Sequence, residues 1–186
     1  MNADGSEAKQ MTFGAYEDSP QISPDGRWIV YHSESERFKD EVWRVSIEGG
    51  EPIKVLDVPA KNPVISPDGK FIACYVKAGG INSGWKIGVM PFEGGVPVKM
   101  IDVPPAVSQQ WHGLRWTPNS MALTYALNDG GTSGIWSQAI TGGTPRKITG
   151  SIEGHIDAFT WSPSGRHLAC VRRRTESDIV LINNFR

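Results

Sequence analysis

The chain has 186 residues, of which 39% are hydrophobic and 21% charged, and a net charge of −1 at pH 7. That is enough apolar material for one ordinary core and too much for a disordered chain. The signs are also too evenly mixed to draw nucleic acid or an anionic membrane surface as a partner. No apolar run nears the roughly 20 residues of a membrane span. Residues Met1 to Gly5 hold neither a basic region nor an apolar core, so a soluble chain without a signal peptide is expected.

With 21 glycines and 13 prolines, many turns and short strands are expected. In chain order, a strand-like tail comes first, Asp4 to Thr12, with Met11 as its apolar anchor. Four similar segments follow: Gln21-Ile22-Ser23-Pro24-Asp25-Gly26, Val64-Ile65-Ser66-Pro67-Asp68-Gly69, Arg115-Trp116-Thr117-Pro118-Asn119-Ser120 and Thr160-Trp161-Ser162-Pro163-Ser164-Gly165. Their prolines lie 43, 51 and 45 residues apart, the period of propeller blades. In each segment an apolar residue ends one strand. Ser/Thr-Pro-Asp-Gly then turns the chain, because proline presets φ, Asp bonds its own backbone and Gly accepts positive φ.

A second strand follows each turn at Trp28 to Tyr31, Phe71 to Cys74, Ala122 to Tyr125 and His167 to Cys170. A third strand is expected at Val42 to Ile47, Trp85 to Phe92, Ile135 to Ile140 and Asp178 to Ile182. Three of the repeats then run through Gly-Gly-x-Pro into a fourth strand. Such repeats predict an all-β fold, a β-propeller of four blades with four antiparallel strands each. Blade one spans residues 14–57, blade two 58–102, blade three 103–150 and blade four 151–186 with three strands. Residues 1–13 are expected to supply the strand that blade four lacks, pairing near Asp178 to Ile182, because an unpaired sheet edge is a liability. Bulky Trp28, Phe71, Trp43, Trp85 and Trp136 suit the shallow wedge of a large ring. The four blades are therefore expected to form half of an eight-blade ring, which a second copy closes as a homodimer. Cys74 and Cys170 each follow the proline of their repeat by seven residues, and both are expected to be buried and unpaired.

These segments resemble TolB-like (WD-like) β-propeller repeats over nearly the whole chain. Toward the C-terminus, Leu114 to Pro118, Gly134 to Gln138 and Thr175 to Arg186 are similar to the C-terminal propeller half of bacterial sensor-type serine/threonine kinases and transcriptional regulators. The resemblance implies a binding or assembly module within a larger sensor protein, in the cytoplasm or outside it. It does not imply kinase activity, since no Gly-rich loop, His-Arg-Asp or Asp-Phe-Gly is present.

The sequence contains no Gly-x-Ser-x-Gly, His-Glu-x-x-His or phosphate loop. One constellation stands out. The innermost strand of each blade begins beside the central channel, and Asp18, Lys61, His112 and Asp157 occupy the same place in the four repeats. His155 lies two residues before Asp157. Asp18, His112, His155 and Asp157 are the raw material of a divalent metal site, with that metal as cofactor, or of a general base beside a cation. With such a metal, His112 and Asp157 would be catalytic in a hydrolase acting on a phosphate- or ester-type substrate. Set against this is the ordinary tendency of channel mouths to collect polar residues, and Lys61 would oppose a cation. The first expectation is therefore a module that binds a protein partner, or a small-molecule ligand at the channel, with Trp111 and Lys61 as contact residues. His32 is expected in a loop after its strand, and His167 in half-buried packing.

Overall fold

The computed structural model describes residues 6, 8–14, 16–34, 39–77, 79, 84–104, 113–129 and 131–174. Every regular element among them is a strand. Blade one comprises β1 (Tyr16–Ile22), β2 (Trp28–Glu34), β3 (Asp40–Ser46) and β4 (Ile53–Lys54), bonded in that order. Blade two repeats the pattern with β5 (Ala60–Ile65), β6 (Phe71–Val76), β7 (Lys86–Pro91) and β8 (Lys99–Asp102). Blade three has β9 (Leu114–Trp116), β10 (Ala122–Asp129), β11 (Thr132–Ala139) and β12 (Arg146–Lys147). A fifth strand, β13 (Ile152–Glu153), pairs with the other end of β11. Blade four holds β14 (His155–Trp161) and β15 (Leu168–Arg173). All pairs are antiparallel, as four-stranded blades in a β-propeller require.

The turn between the first two strands of each blade is built by a small set of hydrogen bonds. In blade two, Ser66 Oγ donates to Asp68 Oδ1 at 2.6 Å and accepts the Phe71 amide at 2.9 Å. Asp68 Oδ1 also accepts the Lys70 amide at 3.1 Å, and the Gly69 amide bonds the Ser66 carbonyl at 2.8 Å. Blade one repeats these bonds through Ser23 and Asp25, and blade three through Thr117 and Asn119. Blade four has Ser164 where Asp stands in the first two blades, and its bonds are long: 3.3 Å to Ser162 and 3.5 Å from the Arg166 amide. The residue closing each turn has positive φ: Gly26 at 72°, Gly69 at 72° and Gly165 at 69°. Ser120 takes that place in blade three at 60°, and its hydroxyl accepts the Asp68 amide of the neighbouring blade at 3.0 Å. A left-handed non-glycine residue costs roughly 1 kcal/mol or more, which this inter-blade bond offsets.

Between the blades lie three buried clusters. Val30, Val42 and Val55 of blade one meet Ile72, Cys74, Val76 and Met90 of blade two. Tyr75, Ile87 and Val89 meet Trp116, Leu123 and Tyr125 across the second seam, and Ala126 and Ile135 meet Ile156 and Phe159 across the third. Polar ties pin each seam. The Trp116 indole N–H donates to the Val64 carbonyl at 3.0 Å, the Trp161 indole N–H donates to Thr124 Oγ1 at 3.1 Å, and the Ile65 amide donates to Gln21 Oε1 at 3.0 Å. Arg44 crosses the first seam, with its guanidinium 4.6 Å from the Trp28 ring centre and Nη2 at 2.6 Å from Glu93.

Several details depart from expectation. Residues 8–14 hold no strand. Lys9 Nζ donates to the Glu48 carbonyl at 2.7 Å, Thr12 Oγ1 bonds Glu17, and Met11 lines a small cavity with Ile29 and Tyr31, so this stretch lies along blade one. The strand expected at Asp178 to Ile182 falls outside the described residues. Cys74 is fully buried, which pushes its thiol up. Cys170 is exposed instead of buried, since among the described residues no strand covers the far edge of β15. Trp43 adjoins Val42 in β3 and so faces away from blade two, with its N–H 3.3 Å from Glu41.

The turns yield a paired test. Asp68→Ala should lower stability by about 1–2 kcal/mol, because the Ser66 hydroxyl and the Lys70 amide both lose an acceptor. Ser164→Asp should raise it by about 0.5 kcal/mol or more by giving blade four the carboxylate of blades one and two. Urea melts of the two variants check both signs.

Candidate channel-face site

The inner strands β1 and β5 share an irregularity. Ile22 pairs with Ile29 and Gln21 with Val30, but beyond them the register slips, so that Asp18 sits opposite His32. In β5, Val64 pairs with Ala73, and after the same slip Lys61 sits opposite Tyr75. Both bulges centre on a left-handed residue before a proline: Ser19 at φ 51° before Pro20, and Asn62 at φ 53° before Pro63. Short polar side chains tolerate this conformation best, and bulges of this kind re-aim the side chains beside them.

In blade one the slip creates a buried ionic group. His32 lies in β2, not in a loop, and is 5% exposed. Its Nδ1 is 3.1 Å from Asp18 Oδ1, and its Nε2 is 3.0 Å from Asp40 Oδ1. With both ring nitrogens aimed at carboxylates, the ring that satisfies both is the imidazolium. Burial alone would push its pKa down, but the bonds to Asp40 and Asp18 and their charges outweigh it and hold the group above its ordinary value. The His32 bond holds the Asp40 carboxyl below its usual range, against burial and with help from Lys61 and Lys77. While both bonds stand, His32 has no lone pair to act as a base.

Across the seam, Lys61 Nζ lies 4.4 Å and Lys77 Nζ 5.0 Å from the Trp85 ring centre. Burial pushes the Lys61 amine below its ordinary value, Asp40 pulls it back up, and Lys77 adds to the depression. On the channel side, a cavity of about 330 Å³ is lined only by inner-strand segments: 18–21 of blade one, 62–64 of blade two and 114–115 of blade three. Its walls combine Pro20, Pro63, Val64 and Leu114 with the polar Asp18, Asn62, Gln21 and Arg115.

The residues expected to hold a metal are dispersed or engaged. Asp18 bonds His32, while both oxygens of Asp157 accept from the Arg173 guanidinium at 3.1 and 3.2 Å. His155 is exposed at the start of β14, opposite Arg173. His112 and Trp111 lie outside the described residues. Among the described residues, no group of three or more His, Cys, Asp or Glu side chains is placed to hold a metal ion. His32, expected in a loop, lies instead in this buried group, while Asp40, Arg115 and the Lys77–Trp85 contact carry no sign in the sequence pattern. Alignment of the repeats offered one signal, since His32 occupies the slot that the fully buried Tyr75 fills in blade two.

No family model matches the chain. Among solved structures, it is similar to a putative TolB from Agrobacterium tumefaciens (TM-score 0.67, 28% identity), covering 83% of this chain and 53% of that one. TolB from Acinetobacter baumannii gives a TM-score of 0.64 at 21% identity over 88% of this chain and 39% of that chain. The fold is thus a TolB-like β-propeller, and the chain spans about half or less of these relatives. A 62-residue stretch is 39% identical to an uncharacterized peptidase, YuxL, from Bacillus subtilis (strain 168), covering 32% of this chain and 9% of that protein. Among the described residues, no helix is long and apolar enough to cross a membrane.

The ionic group predicts a pH dependence. A raised histidine pKa contributes stability that is fully present below the unfolded value of about 6.5 and is lost as pH climbs through the folded value. The lowered Asp40 contributes above the ordinary carboxylate pKa of about 4, and that part is lost as pH falls through its folded value. His32→Tyr, which installs the blade-two residue, should cost roughly 2 kcal/mol at about pH 6, where it strands two carboxylates. The gap to wild type should narrow by about pH 9. Urea melts at both pH values check this, and a gap independent of pH would contradict the assignment.

Proposed function

We propose that the chain is a binding and assembly module that takes its ligand on the channel side of its inner strands. The observation that carries this reading is the cavity formed jointly by β1, β5 and β9. Two left-handed non-glycine residues shape its rim, and charged groups lie buried beside it. Concave, partly apolar spaces with a few fixed polar groups are where propellers and other scaffolds take ligands. The likeness to TolB supports the propeller fold on which this reading rests. The test is a ¹⁵N-NMR titration against a panel of short capped peptides. Shifts from binders should centre on Asn62, Val64, Leu114 and Arg115. Shifts confined to the outer strands would count against the channel.

Assembly is the second half of the proposal. Large apolar side chains are exposed in the first and last blades: Phe13, Ile22 and Ile47 at one end of the array and Val171 at the other. A second copy, placed two-fold, would bury both ends in an eight-blade ring. A stable interface of this kind needs more than about 1,000 Å², which two blade faces can supply. Light scattering at micromolar concentration should give twice the 20.4 kDa of one chain. A folded monomer at that concentration would rule the ring out.

A further inference from the structure

The channel cavity holds a cation, Arg115, that is paired with no carboxylate among the described residues. Arg115 projects from β9, the inner strand of blade three, and is half-buried where it lines the cavity. Its Nη1 donates to the carbonyl of its neighbour Leu114 at 2.7 Å, which uses one of five N–H donors. Among the described residues, no carboxylate pairs with it. Asp18, the acid that lines the same cavity, is already held by His32. Burial alone moves its pKa, and it moves it down, as for a charge taken from water without an opposite charge beside it. A guanidinium kept in that condition at the wall of an open cavity is placed to receive an anion.

Resting on the channel reading above, the geometry points to a ligand that carries one carboxylate, gripped by Arg115 with Asn62 beside it. The ligand's organic part would lie on Pro20, Pro63, Val64 and Leu114. The charge count selects the class. Arg115 is the only cationic side chain lining this cavity among the described residues, and the Asp18 carboxylate lines the same wall. A doubly charged phosphate would meet one positive group and one acid, whereas a single carboxylate matches the guanidinium fork in charge and shape. At about 330 Å³, the cavity lies near the lower end of ligand pockets and fits a small acid or the last residues of a peptide.

The experiment compares three probes on the intact chain by ¹⁵N-NMR, following Arg115 Nε–H and the amides of Asn62, Val64 and Leu114. The probes are N-acetylglycine, its neutral isostere N-acetylglycinamide, and acetyl-triglycine with a free carboxylate. The acids should give saturable shifts at these groups, and the amide should bind about tenfold or more weakly. Arg115→Gln, which keeps a donor for the Leu114 carbonyl, should lose that preference while leaving the spectrum of the other blades unchanged. Tighter binding of acetyl-triglycine than of N-acetylglycine identifies a chain end as the source, and equal binding identifies a small acid. Equal binding of acid and amide at the cavity overturns the carboxylate assignment while the channel reading survives. Shifts that appear only away from the cavity, or not at all for either acid, overturn it as well. The peptide panel then decides separately whether the channel binds anything.

Discussion

Register in this fold is set by one short-range constraint, the bond between a turn hydroxyl and the amide five residues later. Ser66 Oγ holds the Phe71 amide and Asp68 holds Ser66, so the first two strands of the blade leave the turn in one alignment. Because side chains alternate with a period of two, a slip of one residue there would turn Val64, Ile72 and Ala73 to the wrong faces. The same atoms recur in blades one and three with Thr117 and Asn119 as substitutes, which keeps all three hairpins in step. Inter-blade packing follows from this, since each seam joins faces whose parity the turn has already fixed.

The seams are held more variably than the turns. An indole N–H serves twice, from Trp116 and Trp161, each reaching the preceding blade, at Val64 of β5 and Thr124 of β10. The first seam uses an amide side chain, Gln21, and a buried arginine laid on Trp28 and Phe92. Among the described residues, Arg44 Nε and Nη1 have no hydrogen-bond partner, a cost set against its contact with two aromatic faces and Glu93. Area burial provides most of the cohesion, and these polar ties choose which blade lies beside which.

How much the sequence reveals depends on how local the cause is. The Ser-Pro-Asp-Gly turns and the strands beside them are legible because each acts within six residues. His32 was misjudged because its partner depends on a bulge. Extending the turn's register from Ile22–Ile29 and Gln21–Val30 would set Asp18 opposite Ser33, and only the slip at Ser19 brings it to His32. Nothing in Ser-Pro announces a left-handed residue. Aligning the inner strands did single out Asp18, Lys61 and Asp157 as one place in the repeat, yet it could not say that His32 and Arg173 already bind two of them. Cys170 shows the same limit. Its slot is buried in blade two by β7 and by blade one, and the repeat pattern cannot show what covers it in blade four.

Repetition also explains why the chemistry lies at one end of the hairpins. The turn end must keep its hydroxyl, acceptor and left-handed residue, so little can vary there. At the other end the bulge frees the side chains from the ladder, and each blade fills the slot differently: Asp18 with His32 in blade one, and Lys61 with Tyr75 in blade two. Charges buried at that end need not be balanced blade by blade, because neighbouring blades lie close enough for Lys61 of β5 and Lys77, just past β6, to act on Asp40 of β3 across the seam. Among the described residues, the guanidinium of Arg115 on the third inner strand has no such partner, and the balance stops there. A scaffold whose rigid turns hold three variable rims around one cavity can acquire specificity there without disturbing the bonds that fold it.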